Sequence, residues 1–223
     1  IIQPPVYYPF RDSVHRSGRR LVNNRLLESG GCWSLDLEGL ERDCRDSSLL
    51  VLCSPHNPVG RVWSRDELEA MVGICAESGV TVFSDEIHAD IVFPGAAHVP
   101  TASLGPRAEA LTVAAYAPSK TFNLAGLQMS LNVIPDPELR KAFSREVNRF
   151  HMGMSNVFGI VATEAAYARG GEWLNALLSY LEGSFRLLSK RLESVPGVTM
   201  TRPEGTFLAW LDCRGLGMDD DAL

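Results

Sequence analysis

The chain reads as an α/β protein, with a mainly parallel sheet, helices on both faces and part of a smaller α+β C-terminal domain. Three features predict this. Residues 48–53, 80–84 and 111–117 are apolar runs of strand length, the pattern of strands covered on both faces. Between the first two lies an amphipathic helix. Ser64 and Glu67 make a capping box, Leu68, Met71, Val72 and Cys75 form its apolar stripe, and Gly79 is its stop. Strand, helix and strand at that spacing make a right-handed crossover unit of a parallel sheet. Beyond Pro137 the character changes, and residues 138–150, 156–169 and 172–194 read as helices.

In chain order, residues 1–3 form a short buried strand. Pro4, Pro5 and Pro9 impose an extended, irregular path that carries Tyr7 and Tyr8. An aromatic ring on such a stiff segment either stacks on a flat ligand or packs into the core. The polar stretch 13–20 reads as a helix; Gly18, Gly30 and Gly31 punctuate the region after it, and 19–27 contains a strand. Leu37 and Leu40 among charges make 36–44 a short amphipathic helix, and 54–60 is a turn of Pro, Asn and Gly. After the strand at 111–117 come Pro118, Ser119, Lys120 and a glycine-containing turn. The long helix at 172–194 carries Trp173, Leu174, Leu177, Leu178 and Leu181 and ends at Pro196 and Gly197. Residues 198–201 and 206–211 then pair as antiparallel strands. The domains divide as 1–145 and 146–223, with the transition among helices near 143–154. Both ends read as cut: the chain opens in a strand, and 219–223 looks like the start of a helix, so a piece of a longer protein is expected.

Composition excludes several classes. The 223 residues are 45% hydrophobic and 22% charged, the balance of a globular protein with a sizeable core. The net charge of −6, without any basic run, argues against a nucleic-acid partner. No apolar stretch approaches the length of a membrane span, and the opening has no signal-peptide pattern. The five cysteines are odd in number, none spaced as CxxC, which fits a reducing, cytoplasmic compartment and no disulfide framework. The histidines show no zinc spacing, so no metal site is expected.

The chemistry gathers around one lysine. Of three lysines, Lys141 and Lys190 sit in charged helical segments, whereas Lys120 follows an apolar strand with uncharged neighbours. Partial desolvation would favour a neutral amine there, able to form a Schiff base with a carbonyl. Asn57 follows the strand at 48–53, and Asp85 ends the strand at 80–84. If the strands are parallel neighbours, Asn57, Asp85 and Lys120 share the carboxyl edge of one sheet, where open α/β sheets bind ligands. Singly, each is a turn former, a cap or a surface lysine. Together they suit a pyridine cofactor: a lysine to hold it, a carboxylate to keep its ring nitrogen protonated, and a donor for its phenolic oxygen. Tyr7 is a candidate ring-stacking face.

The segments SPHNPVG, SDEIHADIVF and APSKTFNLAGLQ resemble those of fold-type I pyridoxal-phosphate enzymes. More narrowly they resemble the cystathionine β-lyase-like branch, the MalY/PatB type of C–S lyase within the aminotransferase superfamily; PPVYYPF and PEGTFLAWLDCR match that branch too. The resemblance implies that Lys120 carries pyridoxal 5'-phosphate and moves the substrate α-proton. It implies that Asp85 pairs with the ring nitrogen, Asn57 and His88 serve the phenolic oxygen, Tyr7 stacks on the ring, and Ser119 contacts the phosphate. Gln128 stands eight positions after the lysine, where aminotransferases carry a phosphate-binding Arg, and this departure leans toward the lyases. The implied activity is β-elimination from cystathionine or cysteine-type amino acids, giving thiol, pyruvate and ammonia. An aminotransferase shares every step up to loss of the α-proton, and a cofactor-binding regulator with little catalysis is a third reading. By the same resemblance a homodimer with shared active sites is expected, with Ser155 and Asn156 facing the neighbouring subunit, and Arg214 is given a structural role at a strand end.

Overall fold

The structure, a computed structural model, describes residues 1–219. The helix start expected at 219–223 therefore lies, apart from Asp219, outside the described residues. The first half contains α1 (Pro9–Arg16), β1 (Leu27–Ser29), β2 (Cys32–Ser34), α2 (Leu37–Cys44), β3 (Leu49–Cys53), α3 (Arg65–Glu77), β4 (Thr81–Asp85), α4 (Pro106–Leu111) and β5 (Thr112–Tyr116). The second contains β6 (Leu131–Val133), α5 (Pro137–Arg149), α6 (Val157–Arg169), α7 (Gly171–Leu192), β7 (Thr199–Thr201) and β8 (Trp210–Asp212).

The main sheet has the order β3-β4-β5-β6. The first three strands are parallel and β6 is antiparallel on β5. Strand alternation sends Leu50, Leu52 and Val82 to one face, where they are buried with Leu40 of α2, Leu68, Met71 and Cys75 of α3 and Ala108 of α4. Helix α3 forms as its sequence dictates. Ser64 accepts from the Glu67 N–H while the Glu67 carboxylate accepts from the Ser64 N–H, and its four buried residues are the expected stripe. Gly79, at φ +67°, turns the chain into β4.

Several local features differ from the sequence reading. Helix α1 begins at Pro9 rather than at 13, because proline suits the first helical turn, where no N–H partner is needed. Gly30 and Gly31, both at positive φ, form the two-residue turn of a β1–β2 hairpin rather than simple punctuation. β6, only three residues long and exposed, gives little signal. The expected strand at 206–211 shrinks to β8, because 203–206 instead crosses to the main sheet's loops. There the Thr206 N–H donates to the Ile91 carbonyl and the Glu204 N–H to the Gly60 carbonyl. Between α5 and α6, residues 150–156 are non-helical. Arg214 pairs with Asp212 and Glu28 near the β8 end, away from the sheet's carboxyl edge. Among the described residues no helix is long and apolar enough to cross a membrane, and no cluster of three or more His, Cys, Asp or Glu is arranged to hold a metal.

Candidate active site

Parallel strands deliver their carboxyl ends to one edge, and the register makes the delivery specific. Cys53 at the end of β3 lies opposite Asp85 at the end of β4, and Asp85 lies opposite Ala115 of β5. Asn57 sits in the turn after β3, and Lys120 in the turn after β5, which is closed by the Phe122 N–H donating to the Pro118 carbonyl. Tyr7 reaches this edge because its N–H donates to the Asn57 carbonyl at 3.0 Å. As a result Tyr7, Asn57, Asp85, His88, Ser119 and Lys120 all line a single cavity of about 490 Å³. A larger cavity, about 970 Å³, lies between the β1–β2 hairpin and the antiparallel pair β7–β8 and holds none of them, so volume does not mark the chemistry.

Asp85 accepts a hydrogen bond from the Ile87 N–H at 3.2 Å. Burial raises its pKa, the neighbouring Glu86 adds to this, and the Ile87 N–H and the Lys120 charge oppose it. His88 is only 2% exposed, and its Nδ1 is buried without a hydrogen-bond partner. Burial, with a smaller contribution from the Lys120 charge, lowers its pKa to about 4, so the imidazole is neutral at pH 7. The Asn57 side-chain amide has no partner among the described residues, while its N–H donates to Cys53 Sγ at 3.3 Å. The Tyr7 ring is 42% exposed and rests edge-on against Phe10. Ser119 is half-buried.

One expectation fails. Lys120 is exposed in the chain, not partly desolvated. It follows the buried Ala117 and Pro118, but its turn carries it to the cavity mouth, where the apolar segment no longer covers it.

Sequence reasoning missed two contributors to the wall. Cys53 lies beneath Asn57, and burial raises its thiol pKa so that it stays protonated. Phe207 comes from the far end of the chain, and its ring sits 5.3 Å from that of His88. Thr206 just before it takes φ +68°, unusual for a β-branched residue, and its hydroxyl accepts from the Leu208 N–H. The only advance signal for this segment was the PEGTF run itself.

The donor set suits a pyridine cofactor. A carboxylate, an unpartnered buried imidazole, a free amide and an aromatic ring converge with a lysine, and Ser119, Gln128 and Ser130 offer polar groups for a phosphate. The model of the family described as aminotransferase class I and II matches residues 1–223. The chain belongs to that family. Among its relatives, cystathionine beta-lyase PatB of Bacillus subtilis is 44% identical over all of this chain and 58% of its own length. Protein MalY of Escherichia coli is 33% identical, again over the whole chain and 57% of its own length. The crystal structure of cystalysin from Treponema denticola, which contains pyridoxal 5'-phosphate, superimposes with a TM-score of 0.96 at 36% identity, covering 99% of this chain and 57% of that one. The chain thus spans a little over half the length of the relatives it matches. A mainly parallel sheet with helices, as in fold-type I members of the family, is the fold observed.

Proposed function

We propose that the protein is a pyridoxal 5'-phosphate-dependent carbon–sulfur β-lyase acting on cystathionine or cysteine-type amino acids. The observation that carries this is the meeting of Lys120, Asp85, Asn57 and His88 in one cavity. The similarity to a cystathionine beta-lyase over the whole of this chain supports it. Bound here, the cofactor supplies an electron sink for the negative charge left when the substrate α-proton is removed. Lys120 holds the cofactor and, once released, takes that proton; its place at the cavity mouth gives the amine room to swing between the two tasks. Asp85 holds a proton at the ring nitrogen, and its desolvation strengthens that pairing. Neutral His88 and the Asn57 amide hydrogen-bond the phenolic oxygen, Tyr7 covers the ring face, and Ser119 binds the phosphate.

An aminotransferase would use the same residues, and the family description names that activity. Two further parts belong to this reading. The large domain spans 1–145, and 146–223 hold an interdomain helix and the start of the small C-terminal domain. The protein is a cytoplasmic homodimer, supported by five unpaired cysteines and by the exposed Met152, Met154, Val157 and Phe158, next to which Asn156 donates to the Leu127 carbonyl beside the cavity.

The test is a visible spectrum of the full-length protein with pyridoxal 5'-phosphate, for wild type and Lys120→Ala, followed by cystathionine and a pyruvate assay. A band lost on borohydride reduction and absent from the variant, with pyruvate formed without any keto-acid acceptor, is expected. A band without pyruvate would favour the aminotransferase, and no band would end the reading.

A further inference from the structure

Glu86 follows Asp85 directly, yet it is used in an opposite way. Successive residues at a strand end point to opposite sides. Asp85 lines the cavity, whereas Glu86 is turned away from it and is 1% exposed. One Glu86 oxygen accepts from Ser84 Oγ at 2.9 Å and from the Thr101 N–H at 3.0 Å. The other accepts from His98 Nε2 at 2.7 Å and from the Tyr116 hydroxyl at 2.6 Å. A carboxylate has about four lone-pair sites, so this one is filled. Burial alone would raise its pKa, but the bonds from His98, Tyr116 and Thr101 outweigh that and hold it below the ordinary carboxylate value. Tyr116, raised by burial and by Glu86 itself, stays a protonated donor.

The partners matter for where they lie. Tyr116 is the last residue of β5, four before Lys120, and Ser84 immediately precedes Asp85. The backbone is fastened on the same spot: the Glu86 N–H donates to the Ala115 carbonyl at 2.9 Å, and the Ser54 N–H to the Asp85 carbonyl at 3.0 Å. The carboxylate therefore joins the ends of the two strands that carry Asp85 and Lys120.

We infer that Glu86 is a positioning residue: its buried anion, clasped by Tyr116, His98, Ser84 and Thr101, fixes Asp85 against Lys120 and lends its charge to a cation held at Asp85. This rests on the pyridoxal-phosphate reading. The titratable groups around the clasp are His98, Tyr116 and Asp85, with Tyr167 beside Tyr116 and Lys120 beyond Asp85. A cation near a buried anion keeps its proton to higher pH, so neutralising Glu86 should lower the pH at which the bound cofactor's visible band changes.

The experiment compares full-length wild type, Glu86→Gln and Tyr116→Phe. Pyridoxal 5'-phosphate is titrated in by absorbance, the visible band is followed against pH, and kcat and KM for cystathionine are measured. Glutamine keeps the shape but not the charge. The expected result is a cooperatively folding Glu86→Gln protein with about tenfold weaker cofactor binding, the scale at which outer-layer partners act, a band midpoint moved to lower pH, and a fall in kcat with KM little changed. Tyr116→Phe, which keeps the charge and removes one bond, should weaken cofactor binding and lower kcat in the same direction but less while leaving the band midpoint in place, and its binding and kcat decide the matter if Glu86→Gln does not fold. A folded Glu86→Gln with wild-type affinity and midpoint overturns the inference while leaving the cofactor reading intact, as does an unchanged Tyr116→Phe where it alone folds. A wild type with no band overturns both.

Discussion

The two sides of the β4 end differ in what they leave unfinished. On the cavity side, the His88 Nδ1 and the Asn57 amide have no partners among the described residues, and Asp85 has a single N–H. On the far side, Glu86 is saturated by four donors at 2.6–3.0 Å. Folding alone favours the second condition, since buried polar groups without partners cost stability. In the proposed reading, the polar groups left over beside the cavity are held for a ligand, and the two carboxylates adjacent in sequence divide into one that serves binding and one that serves architecture. Neither residue type nor position after a strand distinguishes them.

The largest effect should come from the cavity side. Lys120→Ala in the full-length protein should lower pyruvate release by about a thousandfold, within the range of a lost general base. Its stability should change little, because the side chain is exposed. Next come the two carboxylates. Asp85→Asn should lower turnover by about a hundredfold while leaving the cofactor-free protein as stable as wild type, or more so. Glu86→Ala should cost about 3–5 kcal/mol in urea unfolding, the scale of breaking a buried charged cluster. Comparable stability losses for the two would break the contrast.

pH sharpens it further, because the two shifts have opposite signs. The Asp85 pKa is raised above its unfolded value of 3.8, so the folded state binds the extra proton. Its contribution is present below 3.8 and is lost as pH rises through the folded pKa. The Glu86 pKa is lowered below 4.5, so its contribution is present above 4.5 and is lost as pH falls through the folded pKa. His88, lowered from 6.5 to about 4, contributes fully above 6.5 and loses its contribution as pH falls toward 4. Urea unfolding of the cofactor-free protein between pH 3 and 7 should therefore show a shallower acid loss in Glu86→Gln and His88→Asn than in wild type, and a steeper one in Asp85→Asn.

The range of each interaction decided how much of this the sequence disclosed. The strands, the capping box of α3 and the strand-end and turn residues Asp85, Asn57 and Lys120 were legible because their signals are local: alternation, a three-residue spacing, a strand leading into a turn. The β1–β2 hairpin was within reach, since paired glycines are a turn signal in their own right. The exposure of Lys120 was not, because apolar neighbours in sequence do not remain neighbours around a turn. Nor was the saturation of Glu86, whose donors His98, Thr101 and Tyr116 lie 12 to 30 residues away.

Phe207 is the most distant case, and it gives the smallest effect. It reaches the cavity only because Arg61 holds Glu204 at 2.9 Å and the 203–206 segment runs between 60 and 91. Its ring is 40% exposed, so Phe207→Ala should cost only about 1–2 kcal/mol, well short of a fully buried phenylalanine. The informative readout is its neighbour. If Phe207 is what keeps water from His88, its loss should raise the His88 pKa from about 4 back toward 6.5, visible in an NMR titration of the cofactor-free protein. An unmoved His88 would mean that the sheet edge alone desolvates it, and that the cavity side of β4 owes its neutral imidazole to the same local packing that makes the far side saturated.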